Sequence, residues 1–355
     1  MNAPEKVQKT VLWWGRFDPD YARNRILRQA FQALGWHIAD FHPKISRLGH
    51  LEAALRQVKS PDLVWLPAFR QRDMAAASAF AKAHNAPLVF DPMISTYDKQ
   101  VFERQKFEAD SDRAKSLLAA ERALFAKADH IIADTAGHAD FFHATLGVAT
   151  DRLHVVALGA EEAMFPSVPR AAKPADTPLE ALFYGSFIGL QAPEVIVEAA
   201  RLCAAPIRWV LLGDGPLKAA CARAAEGQPN IAFEDYLPYD ALPARIHQAD
   251  ILLGVFGESD KAARVIPNKV YQSLASGRTV VSRASGAYPA PKNDGLIEIA
   301  PGNPAALADV ITRLATERED LNRRGEEARN YYDRHFSMGS IRAQLATVLE
   351  TVSGG

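Results

Sequence analysis

The chain has 355 residues, 48% of them hydrophobic and 23% charged, with a formal net charge of −1. These are ordinary values for a soluble globular protein, the length suits two domains, and bulk charge argues against a nucleic-acid partner. No apolar run approaches the roughly 18 residues that span a bilayer, and "MNAPEKVQKT" lacks the apolar core of a signal peptide, so the expected location is cytoplasmic.

Two local features qualify this. The first sixty residues carry ten Lys/Arg against five Asp/Glu. Such an excess is most often a solvated helix surface. The alternative is a face toward an anionic substrate or membrane, which would place the N-terminal domain peripherally at the inner face of the membrane. Cys203 and Cys221 lack a Cys-x-x-Cys partner, so they read as reduced packing residues rather than a zinc site or disulfide.

Short apolar runs alternate with helical patterns along the chain. Residues 10–15 ("TVLWWG") read as a buried strand. A helix over 23–35 follows, with Ile26, Leu27, Ala30, Phe31 and Leu34 on one face and Gly35 as its stop. Strands are expected at 36–42, 62–68, 87–92, 129–134 and 153–159, and helices at 50–59, 74–85 and, as one long charged region, 97–128. Four prolines within Phe165–Pro178 interrupt the pattern. The alternation then restarts with strands at 180–185, 207–213, 230–236, 250–256, 279–283 and 296–301. Helices are expected at 193–203, 216–226, 241–249, 268–277, 304–317, 319–334 and 340–352. No short repeat is visible.

Strand–helix alternation of this kind builds a parallel sheet covered on both faces. The expected fold is α/β, with two Rossmann-like doubly wound sheets facing a central cleft. The expected domains are 1–165, a linker at 166–178, and 179–336, with a terminal helix at 337–355 packing back on the first domain. Ligands of open α/β sheets sit beyond the carboxyl ends of strands. Candidate residues therefore lie at 15–18, 91–95, 185–189, 213–216, 236 and 257–269.

In "GDGP", Gly213, Asp214 and Gly215 allow a ligand to approach the backbone; the other reading is a tight strand-to-helix turn. "YGSFIG" offers Gly185, Ser186 and Gly189 to a phosphate but satisfies neither G-x-G-x-x-G nor a phosphate loop. "GESDKAARVIPNK" carries the strongest signal. Pro267 pre-sets a turn, Asn268 is a competent N-cap, and Lys269 falls in the first helical turn, where the helix dipole disfavours a cation. A bound diphosphate reverses that sign, and Lys261 and Arg264 add charge beside it. The bland alternative is a solvated lysine turned away from the dipole.

In "DPD", Asp18 and Asp20 are better read as a capping turn than as a metal-binding pair. The ten histidines form no H-E-x-x-H or comparable pattern. Asp91, at a strand end, would accept a proton or bind a sugar hydroxyl, or else is a turn residue before Pro92. Arg16, Asp18, Tyr21, Arg23 and Asn24, after the first strand, would hold an acceptor or form an ordinary first helical turn.

"DHIIADTAGHADFF", "LHVVALGAEEAMF", "GDGP", "ADILLGVF" and "IPNKVYQSLASGRTVV" together resemble a GT-B-fold glycosyltransferase of the large retaining family 4, across nearly the whole chain. The resemblance implies transfer of a sugar from a nucleotide-diphosphate sugar to a hydroxyl acceptor, such as a glycan, a lipid-linked molecule or a small molecule. It implies retention, no metal and no cofactor beyond the nucleotide sugar. It also implies roles: Gly213–Gly215 and Tyr236 near the base, Gln272 at the ribose, Gly185, Ser186 and Lys269 at the diphosphate.

The family's E-x₇-E pair falls on Arg264 and Gln272. Its two diphosphate-binding cations after the first strand of the second unit fall on Ser186 and Gln191. Cationic duty would then move to Lys261, Arg264 and Lys269, with Asp91, Arg264 and Lys269 as the catalytic candidates. The alternatives are a nucleotide-sugar 2-epimerase on the same fold, or an inactive nucleotide-sugar-binding protein.

Overall fold

The computed structural model describes residues 8–104, 106–171, 173–174 and 176–354. It divides into two compact units, residues 1–158 with 338–355, and 159–337.

In the first unit the strands are β1 (Thr10–Trp14), β2 (His37–Phe41), β3 (Leu63–Leu66), β4 (Leu88–Phe90), β5 (His130–Ala133) and β6 (Leu153–Val155). The helices are α1 (Ala22–Ala33), α2 (Gly49–Leu55), α3 (Met74–Ala83), α4 (Thr96–Asp98), α5 (Asp112–Phe125) and α6 (Ala136–Ala144). All strand pairings are parallel, in the order β2-β1-β3-β4-β5-β6.

Central strands are apolar on both faces because helices cover both. Trp13 and Trp14 show this: Trp13 stacks on Trp65 at 6.0 Å on one face, and Trp14 meets Phe80 at 5.0 Å on the other. At the edge, β2 is partly exposed.

The second unit holds β7 (Leu179–Tyr184), α7 (Pro193–Leu202), β8 (Ile207–Leu212), α8 (Lys218–Ala224), β9 (Ile231–Glu234), α9 (Leu242–Gln248) and β10 (Ile251–Leu253). It continues with α10 (Asp260–Arg264), α11 (Asn268–Ala275), β11 (Thr279–Arg283), β12 (Leu296–Ile299), α12 (Pro304–Thr316) and α13 (Leu321–His335). Its order is β12-β11-β10-β7-β8-β9, again parallel. The expected fold class, two doubly wound parallel α/β sheets, is the fold observed. The last helix, α14 (Met338–Gly354), belongs to the first unit; Gln344 accepts a hydrogen bond there from the Ala157 amide at 2.8 Å.

Several local expectations are corrected. The helical region expected over 97–128 is broken over residues 106–111, because the Ser111 hydroxyl caps a new helix by accepting from the Ala114 amide. Helices α6 and α10 went unread although Thr135 and Ser259 cap them in the same way.

The described residues of the proline-rich stretch 166–178 lie within the second unit rather than between the two. Long-range polar contacts tie it down. Arg170 and Lys173 pair with buried Asp250 at 3.0 and 2.6 Å, and Arg278 donates to the Val168 carbonyl. Among the described residues no helix is long and apolar enough to cross a membrane.

Each sheet order contains one reversal. The chain leaves β1 toward β2 and then crosses to β3 on the other side. In the second unit it runs β7, β8, β9 and then places β10 on the far side of β7. Loops beyond these two points diverge and leave room for a ligand.

Candidate functional site

Three loops meet at the reversal of the second sheet: those after β7, β8 and β10. The Phe187 amide donates to the Asp214 carbonyl at 2.9 Å, and the Leu217 amide returns to the Phe187 carbonyl at 3.0 Å. The Phe256 amide donates to Gln191 at 3.2 Å, and Arg283 donates to the carbonyls of Gly257 and Ser259.

This closeness explains the glycine at 213. Its φ is +129°, and a Cβ there would lie 2.1 Å from the Gly185 carbonyl oxygen. Gly213→Ala is therefore expected to destabilise the second unit by more than about 2 kcal/mol, since both strain and a backbone clash must be relieved. A thermal midpoint equal to the parent's would refute this.

A cavity of about 350 Å³ opens beside these loops, lined by Gly185, Ser186, Gly213, Asp214, Tyr236 and Tyr239 among others. That volume is in the range of small-molecule sites. Tyr236 is exposed at the edge of this cavity. Tyr239, which sequence reading missed, receives a hydrogen bond from Gln272 at 3.4 Å and donates to Glu161 at 2.7 Å.

Lys269 is the notable group. It is the second residue of α11, and its side chain is 4% exposed. The ammonium donates to the Gln191 side-chain oxygen, lies 3.5 Å from the centre of the Phe183 ring, and would be 3.1 Å from a Cβ at Gly185. No carboxylate pairs with it among the described residues. Burial alone holds its pKa well below the ordinary lysine value of 10.5. Tyr184 positions this turn, donating to the Lys269 carbonyl at 2.9 Å with Ser273 Oγ at 3.2 Å; burial pushes its phenol pKa far up.

Asn268 is not the N-cap expected. Extended Pro267 holds that position, with no side-chain capping bond, and Asn268 is the first helical residue. The reason is backbone geometry: proline, extended at φ −67° and ψ 151°, takes the cap position itself, so the helix starts at Asn268, one residue earlier than expected. Gln272 is buried one turn after Asn268. Lys261 is buried on α10, and Arg264 ends that helix, half-buried.

The acceptor-side candidates separate into two groups. Arg23 is fully buried and holds Asp91 with two hydrogen bonds, at 2.9 and 3.2 Å, while also donating to the carbonyls of Val156 and Ala157. Asn24 is buried too, donating to the Asp18 carbonyl at 2.7 Å. Neither side chain is exposed, as either an acceptor ligand or an ordinary first turn would leave it, because this face of α1 turns inward. Burial raises the Asp91 pKa, with Arg23 pulling it back down.

Arg16 and Asp18 are exposed, and Asp18 forms the expected turn by accepting from the Asp20 amide at 2.9 Å. Tyr21 lies between the two groups. Burial first, then Asp134 and Asp91, raise its phenol pKa to about 12.

The sequence reading missed what faces these residues across the reversal. Phe69 packs on Tyr21 at 5.1 Å, with φ +63°, and Arg70 donates to the Arg16 carbonyl at 2.9 Å. A left-handed phenylalanine is a strained conformation, and such residues concentrate at functional sites. Among the described residues, no group of three or more His, Cys, Asp and Glu side chains is arranged to hold a metal ion.

Two family models match the chain. Residues 13–159 match the "Glycosyl transferase 4-like domain" and residues 179–317 match "Glycosyl transferases group 1". The chain belongs to the GT-B glycosyltransferases.

Solved structures agree with this fold. HepE from Anabaena, in complex with UDP, is 14% identical with a TM-score of 0.69, over 97% of this GT-B chain and 100% of that one. Sucrose-phosphate synthase from Thermosynechococcus elongatus is 16% identical with a TM-score of 0.72, over 98% and 99%. The lipopolysaccharide outer core galactosyltransferase WaaB is 13% identical with a TM-score of 0.68, over 96% and 99%. No curated protein sequence matches the chain significantly.

Proposed function

We propose that this GT-B protein is a hexosyltransferase that moves a sugar from a nucleotide-diphosphate sugar to a hydroxyl acceptor, with retention of configuration and without a metal. The observation that carries the reading is Lys269, a buried cation with no carboxylate partner, at the start of a helix and beside a cavity. An uncompensated buried charge is costly, and an anion at that point turns the cost into binding.

The donor diphosphate takes the place between Gly185, Ser186 and Lys269. Tyr236 and the Gly213–Asp214–Gly215 turn receive the base, and Gln272 the ribose. Negative charge develops on the diphosphate as the glycosidic bond breaks, and preorganised amides and cations stabilise it there. Lys261 and Arg264 add to that field. The contact of Lys269 with Gln191 supports a relocated cation: the ammonium occupies the neighbourhood that the resembled family fills with a lysine at position 191.

On the first unit Arg16, Asp18 and Tyr21 face the acceptor, and Asp91, buried in its ion pair with Arg23, serves to position that region. UDP-sugars are the first donors to test, since UDP is bound in the HepE structure.

A thermal-shift panel of UDP-, GDP-, ADP- and dTDP-sugars tests the reading, because a ligand stabilises by RT ln(1 + [L]/Kd). One nucleotide class is expected to stabilise the protein and to release nucleotide slowly. Isomerised sugar would identify an epimerase, and saturable binding without turnover a binding protein. No stabilisation by any of them would sink the donor-site reading.

A further inference from the structure

Helix α2 is turned opposite to the usual surface helix. Gly49 and Ala53, one turn apart, face inward, and a Cβ at Gly49 would lie 3.0 Å from Trp14 and 3.1 Å from Pro43. Leu51 and Leu55, also one turn apart, face outward, 53% and 85% exposed. Ile45 and Leu48, just before the helix, are 56% and 48% exposed. Surface helices bury their large aliphatics and expose small or polar residues. Four large aliphatics exposed within eleven consecutive residues form a patch, unlike the scattered leucines of ordinary surfaces.

Cations flank these aliphatics in the chain. Lys44, Arg47, Arg56 and Lys59 are exposed. The acid in the stretch, Glu52, is engaged by Arg56 at 2.7 Å and by the Lys44 amide at 2.7 Å. Four of the ten Lys/Arg of the first sixty residues thus lie within or beside the stretch that exposes Ile45, Leu48, Leu51 and Leu55.

We propose that this face seats the protein peripherally on an anionic phospholipid bilayer. Leu51, Leu55, Leu48 and Ile45 enter the acyl boundary, and Lys44, Arg47, Arg56 and Lys59 lie at the phosphate level. The charges decide between occupants. A two-fold pairing with a second copy through these aliphatics would bring two equally cationic patches together, which like charge opposes. A negatively charged lipid surface complements both the aliphatics and the cations.

The patch borders the reversal of the first sheet. The turn before α2 follows the carboxyl end of β2, and Ser46 Oγ lies 3.5 Å from the Arg70 guanidinium. Phe69, exposed and packed on Tyr21, adjoins Arg70. An acceptor carried by the bilayer would therefore arrive beside Arg16, Asp18 and Tyr21. That last step rests on the acceptor-side reading above; the bilayer contact does not.

The test is co-sedimentation of the full chain with vesicles, without nucleotide. The protein is expected to bind phosphatidylcholine vesicles containing about 30% phosphatidylglycerol, not phosphatidylcholine alone, and to be released as salt rises. The double change Leu51→Ser, Leu55→Ser should lower vesicle affinity at least ~10-fold, with an unchanged thermal midpoint because both side chains are exposed. Lys44→Glu with Arg47→Glu should do the same.

Absence of binding to anionic vesicles, or equal binding by the leucine variant, overturns the proposal. So does a concentration-dependent dimer, seen by sedimentation velocity, that the leucine changes abolish while vesicles bind nothing. Failure here leaves the nucleotide panel untouched, and a failed panel leaves the vesicle result untouched.

Discussion

Lys269→Met is expected to stabilise the ligand-free protein and weaken its binding of nucleoside diphosphate about 100-fold, or about 2.7 kcal/mol. Both effects follow from one geometry. The ammonium is buried, held by the Gln191 amide oxygen and the Phe183 ring, and balanced by no carboxylate among the described residues. Methionine keeps most of the volume and removes the desolvated charge, for a gain of about 1–3 kcal/mol in the ligand-free state. The diphosphate loses its charge-assisted donor at the same time. Thermal unfolding and isothermal titration measure the two halves. A variant that is destabilised, or that binds as the parent does, would contradict the anion-site reading.

The same lysine gives a pH signature with a definite sign. Its pKa is depressed in the folded protein and ordinary in the unfolded chain, about 10.5. Between the two values the unfolded chain holds the proton and the folded one does not. Stability of the ligand-free protein therefore rises with pH across that window, and Lys269→Met removes that part of the slope. Diphosphate binding recharges the ammonium, so it should take up a proton over the same window, and affinity should fall as pH rises through the depressed pKa. Titrations in buffers of different ionisation enthalpy would detect that proton.

Arg23→Ala is expected to cost the first unit about 3–5 kcal/mol, the usual penalty for stranding one partner of a buried ion pair. The loss falls on Asp91 and on the Val156 and Ala157 carbonyls, whose donor disappears. Arg23→Met combined with Asp91→Leu should cost clearly less than Arg23→Ala, since no lone charge remains. Arg23→Lys should rescue only in part, because an ammonium cannot reproduce the two-pronged contact. Urea unfolding followed by tryptophan fluorescence suits this measurement: Trp13, Trp14, Trp36 and Trp65 lie in the first unit and Trp209 in the second. A cost below about 1 kcal/mol would show that the pair is dispensable.

The sequence alone determined the architecture. Apolar runs such as "TVLWW" and "IRWVLL" specify central parallel strands because both faces must be buried, and their alternation with 3.6-period segments specifies doubly wound sheets. It also pointed to the strand ends, and to Lys269 as a cation at the wrong end of a helix, since capping and dipole effects act within a few residues. Short helices with weak periodicity escaped it: α6 and α10 carry little beyond their caps, Thr135 and Ser259.

Only the tertiary structure decided which polar groups meet. Arg23 read as an acceptor ligand or as an ordinary first-turn residue until α1 placed it on Asp91, 68 positions away in the chain. Lys269 reaches Gln191, 78 positions away, and the prolines of 166–178 belong to the second unit because Asp250 holds Arg170 and Lys173. Helix α2 has ordinary residues in an unusual orientation, visible only once Gly49 is seen pressed against Trp14. Periodicity is a local property and can be read along the chain. The pairing of a charge with its partner depends on which distant segments the fold brings together, and burial then sets how much that pairing contributes to the scaffold.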